Sequence, residues 1–164
     1  MNKAYLLLGG NLGNRAKNLE TAGILIDRNA GAIVNRSDIF VTKAWGNELQ
    51  PDFYNQAVCI ETKLSPPELL SVLLSIEEQL GRKRTGDKWQ ARTMDIDILF
   101  YNEEIIDTKE LKIPHPFMQD RRFVLTPLNQ IAGALVHPVL KKNTTQLLAE
   151  CGDKLEVKIL NPDK

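Results

Sequence analysis

The chain has 164 residues, 43% apolar and 26% charged, with 21 basic residues balancing 21 acidic ones. This suits one packed domain spanning residues 1–164, and the zero formal charge argues against a general nucleic-acid binder. No run approaches the roughly 20 apolar residues of a membrane helix, and the two cysteines, Cys59 and Cys151, are too far apart in sequence to suggest a disulfide framework or a zinc site.

The opening "MNKAYLLLGG" is too short an apolar run for a signal peptide, so a cytoplasmic protein, monomeric and without membrane partners, is expected. Residues 4–8, "AYLLL", predict a buried strand ended by Gly9 and Gly10. Asn11 or Asn14 can cap a helix over about 14–29, where Leu19, Ala22, Gly23 and Ile26 recur at helical spacing. Residues 32–42 predict a second strand, 43–51 a loop holding Trp45, and "FYNQAVCIET" a third strand closing a long-looped hairpin. "SPPELL" is a helix start: Ser65 caps, prolines occupy the first turn, and Glu68 completes a capping box. Leu69, Leu70, Leu73, Leu74, Ile76 and Leu80 give that helix a wide apolar face, and Gly81 closes it.

Residues 82–93, "RKRTGDKWQART", are polar and basic, and a fourth strand follows over 94–101. "YNEEIID" reads as a turn and short return strand, and a last helix is expected near 143–150. The order strand–helix–strand–strand–helix–strand predicts an α+β, ferredoxin-like βαββαβ core. Its antiparallel sheet would carry both helices on one face, with a C-terminal extension beyond. That fold alone says little about function.

The fourth strand, "RTMDIDIL", poses the chemical question, because Asp95 and Asp97 interrupt an apolar run. Side chains alternate along a strand, so both acids share one face, with Cα atoms about 6–7 Å apart. Ile96, Ile98 and Phe100 are expected to point the other way, toward the helices. An isolated D-x-D is most simply a solvated pair of acids. Here Arg82, Lys83, Arg84, Lys88 and Arg92 precede it, and His115, Arg121 and Arg122 follow. In a neutral protein that pattern points to a metal-bridged polyanion: acids hold cations, and arginines neutralise phosphate oxygens. Trp89 could close over a planar ligand, and Asn55 could bond a heterocycle edge between Phe53 and Phe123. Taken by themselves, Phe53 and Phe123 read rather as core aromatics and Asn55 as a residue that satisfies a backbone turn. His137 reads as structural. "GGNLGNR" matches neither a P-loop nor a full dinucleotide fingerprint.

Together "LGGNLGNR", "PDFYNQAV", "LGRKR…W…RTMDIDIL" and "IPHP…RRFVLTPL" stand in the order and spacing of one family. Over about residues 4–130 the chain resembles the 6-hydroxymethyl-7,8-dihydropterin pyrophosphokinases of folate biosynthesis. The resemblance implies transfer of pyrophosphate from ATP to the hydroxymethyl group of the dihydropterin, releasing AMP. It implies that Asp95 and Asp97 hold two Mg²⁺ ions and that Arg82 and Arg92 assist catalysis. It places Arg84, Trp89, Arg92, Ile98, His115 and Arg121 around ATP. Gly9, Thr42, Trp45, Phe53, Asn55 and Phe123 fall at the pterin pocket, and segments 43–51 and 82–93 match the family's lids.

The chain departs from the family pattern in places. Gln90–Ala91 stands where Gly–Pro is common, "TKAWG" lacks the usual prolines, and Gly10 replaces a common serine. Leu74 and Glu110 replace polar or basic contacts to ATP. Two other readings remain: a non-catalytic ferredoxin-like ligand or RNA module, and a different metal-dependent phosphotransferase. RNA binding would call for exposed aromatics on the central strands and a basic surface.

Overall fold

The computed structural model describes residues 1–43, 50–81 and 93–160. A six-stranded sheet forms its centre. Strand β1 (Asn2–Gly10) lies between β4 (Phe53–Thr62) and β5 (Asp95–Tyr101), antiparallel to both. The single strand expected over 32–42 is two, β2 (Ala32–Arg36) and β3 (Phe40–Thr42), both paired with β4. Ser37 makes the break: its Oγ accepts from the Ala57 N–H at 2.9 Å and donates to the Asp38 carbonyl at 2.7 Å. A side chain that bonds the next residue's carbonyl and an N–H of the partner strand offers the chain an alternative to the ladder.

Helices α1 (Arg15–Asn29) and α2 (Pro66–Gln79) cover one face. Asn14 caps α1, accepting from Lys17 N–H at 3.1 Å. Asn11 is fully buried instead, and its amide donates to the Pro51 carbonyl and to Gln50 Oε1, each at 3.1 Å. Ser65 and Glu68 form the expected capping box on α2. Gly81 follows α2 with φ of +91°, a conformation that glycine adopts without a Cβ clash. The core on this face joins Leu6 and Leu8 of β1, Ile96 and Ile98 of β5, Ile26 of α1 and Leu73 of α2.

The C-terminal extension adds layers to the other face. Helix α3 (Arg122–Ala132) and helix α4 (Thr144–Glu150) bury Val124, Leu125, Leu128 and Leu147 against Leu7 and Ala57 of the central strands. The helix expected near 143–150 is α4, capped by Asn143 with Gln146. This second layer explains why "AYLLL" is apolar without alternation: a strand covered on both faces has no solvent side. A ribbon of β6 (Ile106–Asp107) and β7 (Lys112–Ile113) stands apart, so the short strand after the "YNEE" turn pairs with β7 rather than returning along β5. Strand β8 (Lys158–Ile159) joins β3. Among the described residues no helix is long and apolar enough to cross a membrane.

One orientation expected from strand alternation is corrected. Phe100 does not face α1 and α2 with Ile96 and Ile98. Tyr5 opposes Phe100 while Leu6 opposes Ile98, so Leu99 is the extra residue of a bulge. Leu99 and Phe100 both pack on the α3 side, and Tyr101 returns to the α1–α2 side. Phe100 meets His137 edge to face at 5.6 Å. His137 is buried and its Nδ1 accepts from the N–H groups of Val139 and Leu140, as a structural histidine should.

Candidate active site

Beyond the margin of α3, the sheet face carries the predicted ligand residues in register. Gly9 on β1 opposes Asp95 on β5 and Asn55 on β4, and Phe40 on β3 opposes Asn55 in turn. One row down, Leu7 opposes Asp97 and Ala57. In the other direction Phe53 opposes Thr42. Pairing distance and pleat thus bring Asp95, Asp97, Gly9, Asn55, Phe53 and Thr42 to one face from four strands.

Gly9 is the gap in that row. A Cβ there would lie 2.1 Å from Asn55 Oδ1, closer than any real contact. The missing side chain lets the Asn55 amide lie across β1. Asn55 is buried and its Nδ2 donates to Thr42 Oγ1 at 3.4 Å, while Phe53 is half-buried beside them. An amide fixed in this way presents a set donor and acceptor pattern to a ring edge.

Asp95 and Asp97 are half-buried on the edge strand. No group of three or more His, Cys, Asp or Glu side chains suited to a metal is found among the described residues. A two-carboxylate site fits Mg²⁺, which keeps waters and takes substrate phosphates rather than a full protein cage. Glu77 supports this edge and was missed in the sequence. It is buried near the end of α2, and its Oε2 accepts from the Ile96 N–H, between the two aspartates, at 2.7 Å. The sequence signal was available: Glu77 lies four residues after Leu73, on the buried stripe, where a charge is costly unless bonded.

Since Ile96 turns its N–H outward to Glu77, strand alternation turns the Ile98 backbone to the same open edge. The Ile98 side chain is buried in the α1–α2 core, so contact with a nucleotide would come through its main chain. The bulge then sets the next residue. The Leu99 carbonyl accepts from the His115 N–H at 3.1 Å, fastening the "IPHP" segment beside β5.

His115 Nδ1 accepts from the Phe117 N–H at 3.3 Å. Burial, and then the nearby Arg121 charge, lower its pKa to about 4. It is therefore neutral at neutral pH, with Nε2–H left as a donor. Arg121 lies with its guanidinium carbon 5.3 Å from the Phe117 ring centre and 5.9 Å from that of Phe123. Arg122, expected in the same basic cluster, is used elsewhere: its N–H donates to Asp153 Oδ2 at 3.0 Å and its Nε–H to the Asp153 carbonyl at 2.8 Å. Trp45, Arg82, Arg84, Trp89 and Arg92 lie outside the described residues, as do Gln90 and Ala91. Leu74 is half-buried and Glu110 exposed.

The His115 environment has a consequence for stability. Between the free value of 6.5 and the folded value of about 4, the unfolded chain binds a proton that the folded chain does not. Stability therefore falls as pH drops through that window. The urea midpoint is expected to be lower at pH 5 than at pH 7, by less in His115→Gln than in the wild type. His137, also lowered by burial, keeps part of the slope in both proteins. An unchanged slope in the variant contradicts a neutral, half-buried His115.

A ferredoxin-like α+β domain with paired acids at the rim of its sheet is the class of protein these elements define. A family model described as 7,8-dihydro-6-hydroxymethylpterin-pyrophosphokinase (HPPK) matches residues 5–133. A Bacillus subtilis protein named 2-amino-4-hydroxy-6-hydroxymethyldihydropteridine pyrophosphokinase is 42% identical over 146 residues, 88% of this chain and 87% of its own. A Haemophilus influenzae protein of the same name is 40% identical over 160 residues, 97% of this chain and 98% of its own. Among solved structures, a Plasmodium falciparum HPPK-DHPS superposes with a TM-score of 0.75 at 22% identity, over 91% of this chain. This chain spans only 41% of that larger protein, and the likeness bears on fold alone. The chain belongs to the 7,8-dihydro-6-hydroxymethylpterin-pyrophosphokinase family.

Proposed function

We propose that this chain transfers pyrophosphate from ATP to 6-hydroxymethyl-7,8-dihydropterin, giving AMP and the pterin diphosphate in folate biosynthesis. Membership of the family carries the reading. The geometric observation that supports it is the row Asp95–Gly9–Asn55, which sets an acidic edge beside a fixed amide across a side-chain gap.

In this reading Asn55 bonds the pterin edge, with Thr42 holding the amide, and Phe53 and Phe123 take the ring faces. The pterin hydroxyl attacks the β-phosphorus, and AMP leaves with the α-phosphate. His115 donates from Nε2 and Arg121 supplies charge on the nucleotide side, with Arg84, Trp89 and the Ile98 main chain as further contacts. Arg82 and Arg92 meet the charge that develops on the transferred group. Asp95 and Asp97 would hold two Mg²⁺ ions, which supply charge neutralisation and orientation of the reacting oxygens.

We also take the chain to act as a monomer in the cytoplasm, on small-molecule substrates only. Sedimentation of the intact protein tests the monomer. The RNA-module reading is disfavoured because α3 covers Leu7 and Ala57, where a central-strand stacking platform would have to be. The direct test is incubation with ATP, Mg²⁺ and the dihydropterin. AMP should form only when the pterin is present; pterin-independent hydrolysis, or no AMP, overturns the reading.

A further inference from the structure

Phe117 belongs to none of the motifs that mark the site, and the residue is 55% exposed. Its contacts single it out. The ring takes Arg121 at 5.3 Å, with Phe123 at 5.9 Å from the same guanidinium carbon, both within cation–π range. The ring also meets the His115 imidazole edge to face at 6.2 Å. The Phe117 N–H, meanwhile, is the donor that occupies His115 Nδ1. One residue thus touches both groups placed on the nucleotide side from this segment.

We propose that Phe117 is a positioning residue for the nucleotide: its ring holds the Arg121 guanidinium in advance of binding, and its N–H fixes His115 with Nε2 as the outward donor. The inference rests on the placement of Arg121 and His115 beside ATP. Aromatic rings engage the guanidinium by its faces and leave the N–H edge free for phosphate or ribose oxygens. A long arginine ordered beforehand loses less rotamer freedom when the ligand arrives.

The test is calorimetric binding of a non-hydrolysable ATP analogue with Mg²⁺ to the intact protein. Phe117→Leu keeps apolar bulk and the backbone N–H but removes the π face. It is expected to weaken binding roughly three- to tenfold, with Phe117→Tyr within about twofold of wild type. In an Arg121→Ala background, Phe117→Leu should weaken binding no further. Equal binding by the Leu and Tyr variants overturns the role of the ring. So does an undiminished effect of Phe117→Leu when Arg121 is absent, which would place the ring directly on the nucleotide. A wild-type chain that makes AMP while the two variants bind alike overturns the positioning role alone; one that binds no nucleotide overturns the proposed function as well.

Discussion

Replacing Asp97 by alanine is expected to lower turnover on the order of a thousandfold or more while leaving the fold intact. The two halves of that expectation come from different faces of β5. Ile96 and Ile98, which anchor the strand in the α1–α2 core, are untouched by the change. Asp97 lies opposite Leu7 on the other face, half-buried, and shares that face with Asp95. Circular dichroism and the thermal midpoint should stay close to wild type. Asp97→Asn sharpens the test, since it keeps the shape and one acceptor oxygen but not the charge. It should fail nearly as badly, and Mg²⁺ should strengthen ATP binding far less in either variant than in wild type. A folded Asp97→Ala protein with ordinary turnover would rule out the carboxylate pair as the metal platform.

Gly9→Ala is expected to strike the acceptor side instead. The new Cβ would lie 2.1 Å from Asn55 Oδ1. Relief is hard to find, because Asn55 is buried and its amide is bonded to Thr42. Either the amide rotates out of position or β1 and β4 separate locally, a strain of about 1–3 kcal/mol. The KM for the dihydropterin should rise at least about tenfold, since a misplaced polar group is left unmatched, with the KM for ATP nearly unchanged. Combining Gly9→Ala with Asn55→Ala should recover part of the lost stability, because the clashing atom is gone, but not the pterin affinity. Wild-type pterin KM in Gly9→Ala would show that Asn55 is not set by this close approach.

These two sites also show what can be read from a sequence and what cannot. That Asp95 and Asp97 share a face follows from strand alternation alone, as does the pairing of Phe53 with Asn55. The caps at Asn14 and Ser65 are equally local, since each bonds a backbone group three residues ahead. What was not legible depends on partners distant in the chain. The Leu99 bulge exists only against β1, so Phe100 was placed on the wrong side of the sheet. The Gly9–Asn55 approach needs the register of β1 on β4. Helix α3 was hidden by Pro127 within it and by two prolines just upstream, although Val124 and Leu128 keep helical spacing. Glu77 bonds the Ile96 N–H across a separation of 19 residues, a contact that only the packing of α2 on β5 sets up. Arg122 counted toward a basic cluster by sequence position, yet Asp153, far along the chain, engages it.

Phosphorus NMR of the products decides whether an entire pyrophosphate passes to the pterin. With ATP, Mg²⁺ and 6-hydroxymethyl-7,8-dihydropterin, equal amounts of AMP and a pterin diphosphate ester are expected, with no ADP. ADP accompanied by a pterin monophosphate would mean attack at the γ-phosphorus and would contradict pyrophosphate transfer.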